Sequence, residues 1–211
     1  MKLPRVYPIL DTEAIEARGF SLTRAGAALL EGGAGILQLR HKQHWGRPAF
    51  DAAGEIARMC RETGALFIVD DRADIAMLLD AGLHVGQDDL PPRDARGLMG
   101  ASAIIGYSSH NVRQVCAAGG EPVDYVAFGP VFATASKRNP DPVTGIEGLR
   151  ECRALVEKPL VAIGGITRET ASAVWDAGAD SVAVIGDLLP AALTSTSLRQ
   201  RMEEWQRLAT T

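Results

Sequence analysis

The sequence predicts an α/β fold, a single-domain (β/α)₈ TIM barrel spanning residues 1–211. Three observations carry this expectation. Eight short apolar runs alternate with helix-like stretches, and strand–helix alternation implies parallel strands joined by crossover helices. The runs are apolar on both sides, as strands covered by helices should be. Glycine-bearing segments recur where a helix must stop and a strand begin.

The elements follow in order. Val6–Leu10 is the first strand, and a helix over Ser21–Glu31 follows it. Ile36–Arg40 leads to a helix over Pro48–Glu62. Leu66–Asp70 leads to one over Asp74–Leu79, with Asp74 as the acid favoured at a helix N-terminus. Leu83–Val85 precedes a helix over Pro92–Leu98, and Ile104–Tyr107 one over Asn111–Ala117. Tyr125–Phe128 reaches its helix, Ile146–Val156, through a long connection from Gly129 to Gly145 containing Pro130, Pro140 and Pro142. Leu160–Ile163 is followed by Arg168–Asp176. Val182–Ile185 is the eighth strand, and Ser197–Leu208 the last helix.

Glu31-Gly32-Gly33-Ala34-Gly35, Asp80-Ala81-Gly82 and Asp176-Ala177-Gly178-Ala179-Asp180 form a weak internal repeat. Each closes a helix, and glycine there can adopt the left-handed cap conformation. A length of 211 residues lies near the short end for such barrels. A doubly wound open sheet is the alternative. Against it, no Gly-x-Gly-x-x-Gly follows the first strand, and the Gly32–Gly35 cluster precedes a strand instead of opening a helix.

Composition removes whole classes of function. A net charge of -4 leaves no basic surplus for a nucleic-acid backbone. No apolar run approaches the ~20 residues of a membrane helix, and the N-terminus has no signal-peptide core. Cys60, Cys116 and Cys152 are widely spaced, odd in number and without metal-type spacing, so they read as free thiols in a reducing cytoplasm. A homo-oligomer is compatible with the chain.

Charge collects where three successive strands end: Gln38-Leu39-Arg40-His41-Lys42, Ile68-Val69-Asp70-Asp71-Arg72 and Val85-Gly86-Gln87-Asp88-Asp89. In a barrel, strand C-termini build the active site. Alternation places Gln38, Arg40 and Lys42 on one face, with Leu37 and Leu39 toward the helices. Arg and Lys suit phosphate. Asp71 and Asp89 are the metal candidates, with Asp70 and Asp88 competing. A Mg²⁺ site typically combines one or two carboxylates with substrate phosphates. The bland alternative for these acids is helix capping.

Ile163-Gly164-Gly165-Ile166-Thr167 and Val184-Ile185-Gly186-Asp187 end strands seven and eight, where barrels often bind phosphate. Glycines there let backbone N–H groups approach an anion. His84 should point into the barrel, because Leu83 and Val85 face outward. Ser108-Ser109-His110 ends strand five, with no hydrolytic partner identifiable. His41 and His44 read as surface residues, and Trp45, Trp175 and Trp205 as packing.

These motifs occur in one order along the chain, together with Asp71-Arg72-Ala73-Asp74-Ile75-Ala76, Gly82-Leu83-His84-Val85-Gly86-Gln87-Asp88-Asp89-Leu90 and Gly129-Pro130-Val131-Phe132-Ala133-Thr134-Ala135-Ser136-Lys137. Together they resemble the thiamine-phosphate synthase family from the first strand to the eighth. The resemblance implies condensation of 4-amino-2-methyl-5-hydroxymethylpyrimidine diphosphate with a thiazole phosphate, releasing pyrophosphate. It implies that Arg40, Lys42 and Lys137 hold the pyrophosphate and that Asp71 and Asp89 bind Mg²⁺. Gln38, His84 and Ser108 would face the aminopyrimidine. Thr134, Ser136, Gly165 and the Ile185-Gly186 turn would hold the thiazole phosphate. The 129–145 connection would be a lid carrying Lys137.

Two departures accompany the resemblance. The family usually carries Asn where this chain has Asp70, and small residues, often Ser first, at Gly186-Asp187. Asp187 must therefore point away from the thiazole phosphate for that assignment to hold. The rival within the superfamily is the thiazole tautomerase, which shares the phosphate turn and a histidine like His110 but typically lacks the two metal-site acids.

Overall fold

The computed structural model describes residues 1–134 and 141–210. Its strands are β1 (Val6–Asp11), β2 (Ile36–Arg40), β3 (Leu66–Asp70), β4 (Gly82–Val85), β5 (Ile105–Ser109), β6 (Tyr125–Phe128), β7 (Leu160–Ile163) and β8 (Ser181–Val184). They close into a barrel in chain order, each parallel to the next, with β8 returning to β1. The helices are α1 (Thr12–Glu16), α2 (Leu22–Glu31), α3 (Arg47–Thr63), α4 (Ala73–Leu78), α5 (Pro92–Met99), α6 (Val112–Gly119), α7 (Gly145–Leu155), α8 (Ala171–Asp176) and α9 (Ser195–Ala209).

Alternation along the strands divides the buried residues into two layers. Leu37, Leu39, Val69, Leu83 and Val85 pack outward against helix residues such as Leu29, Ile56 and Ala76. Tyr7, Ile9, Ile36, Ile68, Tyr125 and Val161 fill the barrel's interior. A fully buried Leu or Ile contributes roughly 1.5–3 kcal/mol, so the outer layer supplies most of the cohesion. The interior is therefore free to turn polar toward the C-terminal strand ends.

Several boundaries differ from the sequence expectation for physical reasons. The short α1 is additional: Asp11 caps it by accepting from the Ala14 N–H at 2.9 Å. β5 runs on to Ser109 because that residue pairs with Phe128 of β6. α8 starts three residues after Arg168, because Thr170 Oγ1 accepts from the Thr167 N–H at 3.0 Å and holds a local turn instead. Asp74 lies in the first turn of α4 but is bound by Arg72 at 2.8 Å rather than capping the helix.

The glycine repeat also has mixed causes. Gly33 and Gly178 take positive φ, but in the middle copy the left-handed residue is Asp80, with φ +52°. Gly82 is a strand residue there, and a Cβ on it would collide with Ile68.

Candidate active site

A cavity of about 890 Å³ opens at the C-terminal ends of the strands. Gln38, Arg40, Lys42, Asp70, Asp71, His84, Asp89, Ser108, Thr134, Gly165, Ile185 and Gly186 all line it. Ser136 and Lys137 lie outside the described residues.

Strand register explains one half of the wall. Asp11 pairs with Arg40, and Asp70 with His84, so inward residues of β1 to β4 sit side by side. Asp70 is buried. It accepts from Gln38 Nε2 at 3.4 Å and pairs with Lys42 Nζ at 2.8 Å, with Arg40 Nε 3.9 Å away. Burial pushes its pKa up, Lys42 and Arg40 pull it down, and the net direction is upward.

Alternation alone would send Asp71 outward. Instead Asp71 has φ +63°, and its N–H donates to the His84 carbonyl at 2.8 Å. The left-handed residue brings its carboxylate back to the edge occupied by Asp70, where Lys42 bonds to both. Asp tolerates this conformation better than most residues, at a cost of about 1–2 kcal/mol. Burial opposes the charge on Lys42, but the two carboxylates outweigh it and raise the pKa.

Asp89 arrives from the turn after β4. Its Oδ2 accepts from the Gly86 N–H at 2.7 Å, which aims the carboxylate. It lies within hydrogen-bonding reach of Asp71. Burial raises its pKa first, Gly86 opposes, and Asp71 adds to the rise. Two adjacent carboxylates are suited to sharing a hard cation. Among the described residues no three acidic, His or Cys side chains converge on one point. A metal held here would therefore take further oxygens from a ligand's phosphates.

The opposite wall is made of backbone. Gly164 and Gly165 both have positive φ, and a Cβ on either would run into Pro130 or the Ala133 carbonyl. The chain after β8 forms a 3₁₀ turn over Gly186–Leu188. Asp187 lines the cavity, yet its carboxylate accepts from Arg168 Nε at 2.9 Å. Arg168 also pairs with Glu204 of α9, and Arg201 donates to the Asp187 carbonyl at 2.5 Å. The negative charge that departs from the family pattern is thus matched by a cation.

The sequence reading missed several residues. Asp11 pairs with Arg40, and the charge-at-a-strand-end signal extended to β1 would have found it. Ser108 does have a partner: His84 Nε2 lies 2.8 Å from its Oγ. His110 Nδ1 is 2.9 Å from the Gly129 carbonyl and 3.4 Å from Asp141. His41 is a correction. It is buried, 3.0 Å from Thr12 Oγ1 and edge-on to Trp45, so it braces the turn that presents Lys42. His44 is exposed as expected.

The candidate site residues come from strand ends around the whole barrel, so a match must cover the whole barrel to be informative. A family model described as thiamine monophosphate synthase matches residues 6–188. The chain belongs to the thiamine monophosphate synthase family. The thiamine-phosphate synthase of Koribacter versatilis is 46% identical over 211 residues, covering 99% of this chain and 97% of that one. The thiamine-phosphate synthase of Laribacter hongkongensis is 42% identical, covering 89% and 88%. A thiamine phosphate pyrophosphorylase from Pyrococcus furiosus superposes with a TM-score of 0.85 at 30% identity, covering 98% and 96%. The family resemblance read from the motifs and the barrel fold are both borne out by these matches. Among the described residues no helix is long and apolar enough to cross a membrane.

Proposed function

We infer that this chain is a thiamine-phosphate synthase, a transferase that joins an aminopyrimidine methyl diphosphate to a thiazole phosphate and releases pyrophosphate. The observation that carries the reading is the adjacent Asp71–Asp89 pair beside Arg40 and Lys42, in a cavity whose opposite wall carries two glycine turns. Family membership agrees with it, and the acid pair weighs against the thiazole tautomerase. One domain over residues 1–211 is part of the same reading.

The chemistry is an exchange of one bond. The C–O bond between the pyrimidine methylene and the diphosphate breaks, and its electron pair leaves on pyrophosphate oxygen. The thiazole nitrogen's lone pair then forms the C–N bond, and no side chain need act as nucleophile. The protein must stabilise the leaving charge and hold the two rings in line. Arg40 and Lys42 are placed to receive the leaving pyrophosphate, and Lys137 is assigned the same role from the sequence. Arg40 and Lys42 would exchange carboxylate partners for phosphate oxygens.

Mg²⁺ fits Asp71 and Asp89, and when bound it would neutralise diphosphate charge. Gln38, Asp70, His84 and Ser108 form the pyrimidine end of the cavity. Thr134, Gly165, Ile185 and Gly186 are assigned to the thiazole phosphate end, where backbone N–H groups would meet an anion, and Ser136 is assigned there from the sequence alone. The partners are these small molecules, and nucleic acid and membrane are outside the reading. A reducing cytoplasm suits three free cysteines.

The test is direct. The protein is mixed with the pyrimidine diphosphate, the thiazole phosphate and Mg²⁺, and thiamine phosphate and pyrophosphate are measured. Equal amounts of both products are expected, with loss of turnover on chelation. Tautomer exchange of the thiazole without metal, and no condensation with any thiazole form, would hand the case to the tautomerase.

A further inference from the structure

Beneath the cavity lies a polar chain that the reaction scheme does not use. Tyr7 of β1 and Tyr125 of β6 are buried, with relative exposures of 2% and 0%. Their hydroxyls are 2.7 Å apart. The Tyr125 hydroxyl also lies 3.1 Å from His84 Nδ1, and His84 Nε2 lies 2.8 Å from Ser108 Oγ. Four polar side chains from β1, β6, β4 and β5 therefore lead from the centre of the barrel to its cavity.

Such a chain has a direction. Each hydroxyl carries one proton, and a neutral imidazole carries one on either nitrogen. Among the described residues, the Tyr7 hydroxyl bonds only to Tyr125, within a cluster that includes Ile36, Ile68 and Val161, and the Asp70 carboxylate acts on it through space without a hydrogen bond. If Tyr125 donated to Tyr7, the Tyr7 hydrogen would be buried without an acceptor, which is unfavourable. The opposite direction satisfies every group. Tyr7 donates to Tyr125, Tyr125 donates to His84 Nδ1, and His84 Nε2–H donates to Ser108 Oγ. The Ser108 hydrogen cannot then return to His84 and is left to point into the cavity.

We propose that the buried Tyr7–Tyr125 pair holds His84 in its Nε2–H tautomer, so that Ser108 presents its hydroxyl as a donor to a ring nitrogen of the pyrimidine. The substrate half of this rests on the reading above that His84 and Ser108 face the pyrimidine. Tyr125 is a positioning residue, acting through His84 and Ser108. Pyrimidine ring nitrogens are acceptors, so a fixed donor at this point selects a ring with a bare nitrogen over one that carries N–H there.

The experiment is ¹⁵N NMR of the histidine-labelled protein without substrates, with His84→Asn identifying the His84 signals. A protonated Nε2 and a bare Nδ1 are expected. The Nδ1–H form would overturn the proposal. Tyr125→Phe removes the donor to Nδ1 and should give mixed tautomers. It should also raise KM for the pyrimidine diphosphate about tenfold, the effect of one hydrogen bond of ordinary strength. KM for the thiazole phosphate should stay near normal. Tyr7→Phe leaves Tyr125 with only His84 to donate to, so the Nε2–H form should persist, and its loss would also count against the proposal. If Tyr125→Phe does not fold, the unmodified protein and Tyr7→Phe decide the direction. Ser108→Ala separates the two readings. A normal pyrimidine KM in Ser108→Ala sinks the pyrimidine assignment and the substrate half of the proposal, whatever the tautomer. A raised KM there, with a normal one in folded Tyr125→Phe, sinks the coupling alone.

Discussion

Lys42 Nζ lies 2.8 Å from Asp70 Oδ2 and also pairs with Asp71, so one cation is shared by two consecutive carboxylates. Consecutive strand residues normally face opposite ways. The left-handed backbone at Asp71 lets both reach the same ammonium group. With Lys42 proposed to receive the diphosphate, Asp70 would compete with that ligand for it.

Asp70→Asn should therefore leave affinity for the pyrimidine diphosphate unchanged or raise it a few-fold. Asn keeps the shape and a contact for Gln38 while releasing Lys42. Measured KM would check this. A rise in KM beyond about tenfold, or 1.4 kcal/mol, would show instead that Asp70 is itself a required ligand.

Asp71→Gly separates function from stability. Glycine adopts positive φ without strain, and the exposed pair with Lys42 is worth little. The melting temperature should hold or rise by about 2–4 °C per kcal/mol of relieved strain. Turnover should fall by about two orders of magnitude or more, the scale of losing a main electrostatic group. Near-normal turnover would remove Asp71 from the metal site.

Lys137→Ala should lose most turnover with an unchanged melting temperature. Lys137 is the third cation assigned to the leaving pyrophosphate and lies outside the described residues. Steady-state kinetics beside thermal unfolding would test it, and normal kinetics would exclude the role.

Arg168→Ala should raise KM for the thiazole phosphate about tenfold while leaving that for the pyrimidine diphosphate near normal. The substitution strips Asp187 of its 2.9 Å partner at the edge of the glycine turns proposed to hold that phosphate. Adding Asp187→Asn removes the uncompensated charge and should restore much of the loss. No recovery in the double variant would mean that Arg168 matters for other reasons.

Thiol alkylation at pH 8 should modify Cys116 well before Cys60 and Cys152. Cys116 is exposed and the other two are buried. Burial pushes the Cys60 thiol up to about 12 and the Cys152 thiol up to about 11. Both then stay protonated and unreactive below those values, because the thiolate is the nucleophile. Mass spectrometry over time would read the order, and fast labelling of Cys60 would contradict its burial.

Most of the fold was legible because periodicity reports burial. The strands Ile36–Arg40, Leu66–Asp70, Tyr125–Phe128 and Leu160–Ile163 were read with the bounds they have. α1 was not legible: it is five residues long and depends on one cap from Asp11. Much of the candidate site was also visible, because charge ending an apolar strand is a local pattern. His41 was misread because its burial comes from Thr12 and Trp45, which no local pattern joins to it.

By itself the sequence determined the eight βα units, the inward faces of β2 and β4 and the chemical types gathered at the C-terminal ends. Those follow from alternation and hydrophobicity, which act over a few residues. Only the tertiary structure decided how the charges are partnered: Arg40 with Asp11, Lys42 with Asp70 and Asp71, Asp187 with Arg168. It also decided that Tyr7, Tyr125, His84 and Ser108, from four different strands, join in one hydrogen-bonded chain. Ion pairs and hydrogen bonds depend on ångström distances between strands far apart in the chain, and barrel closure sets those distances.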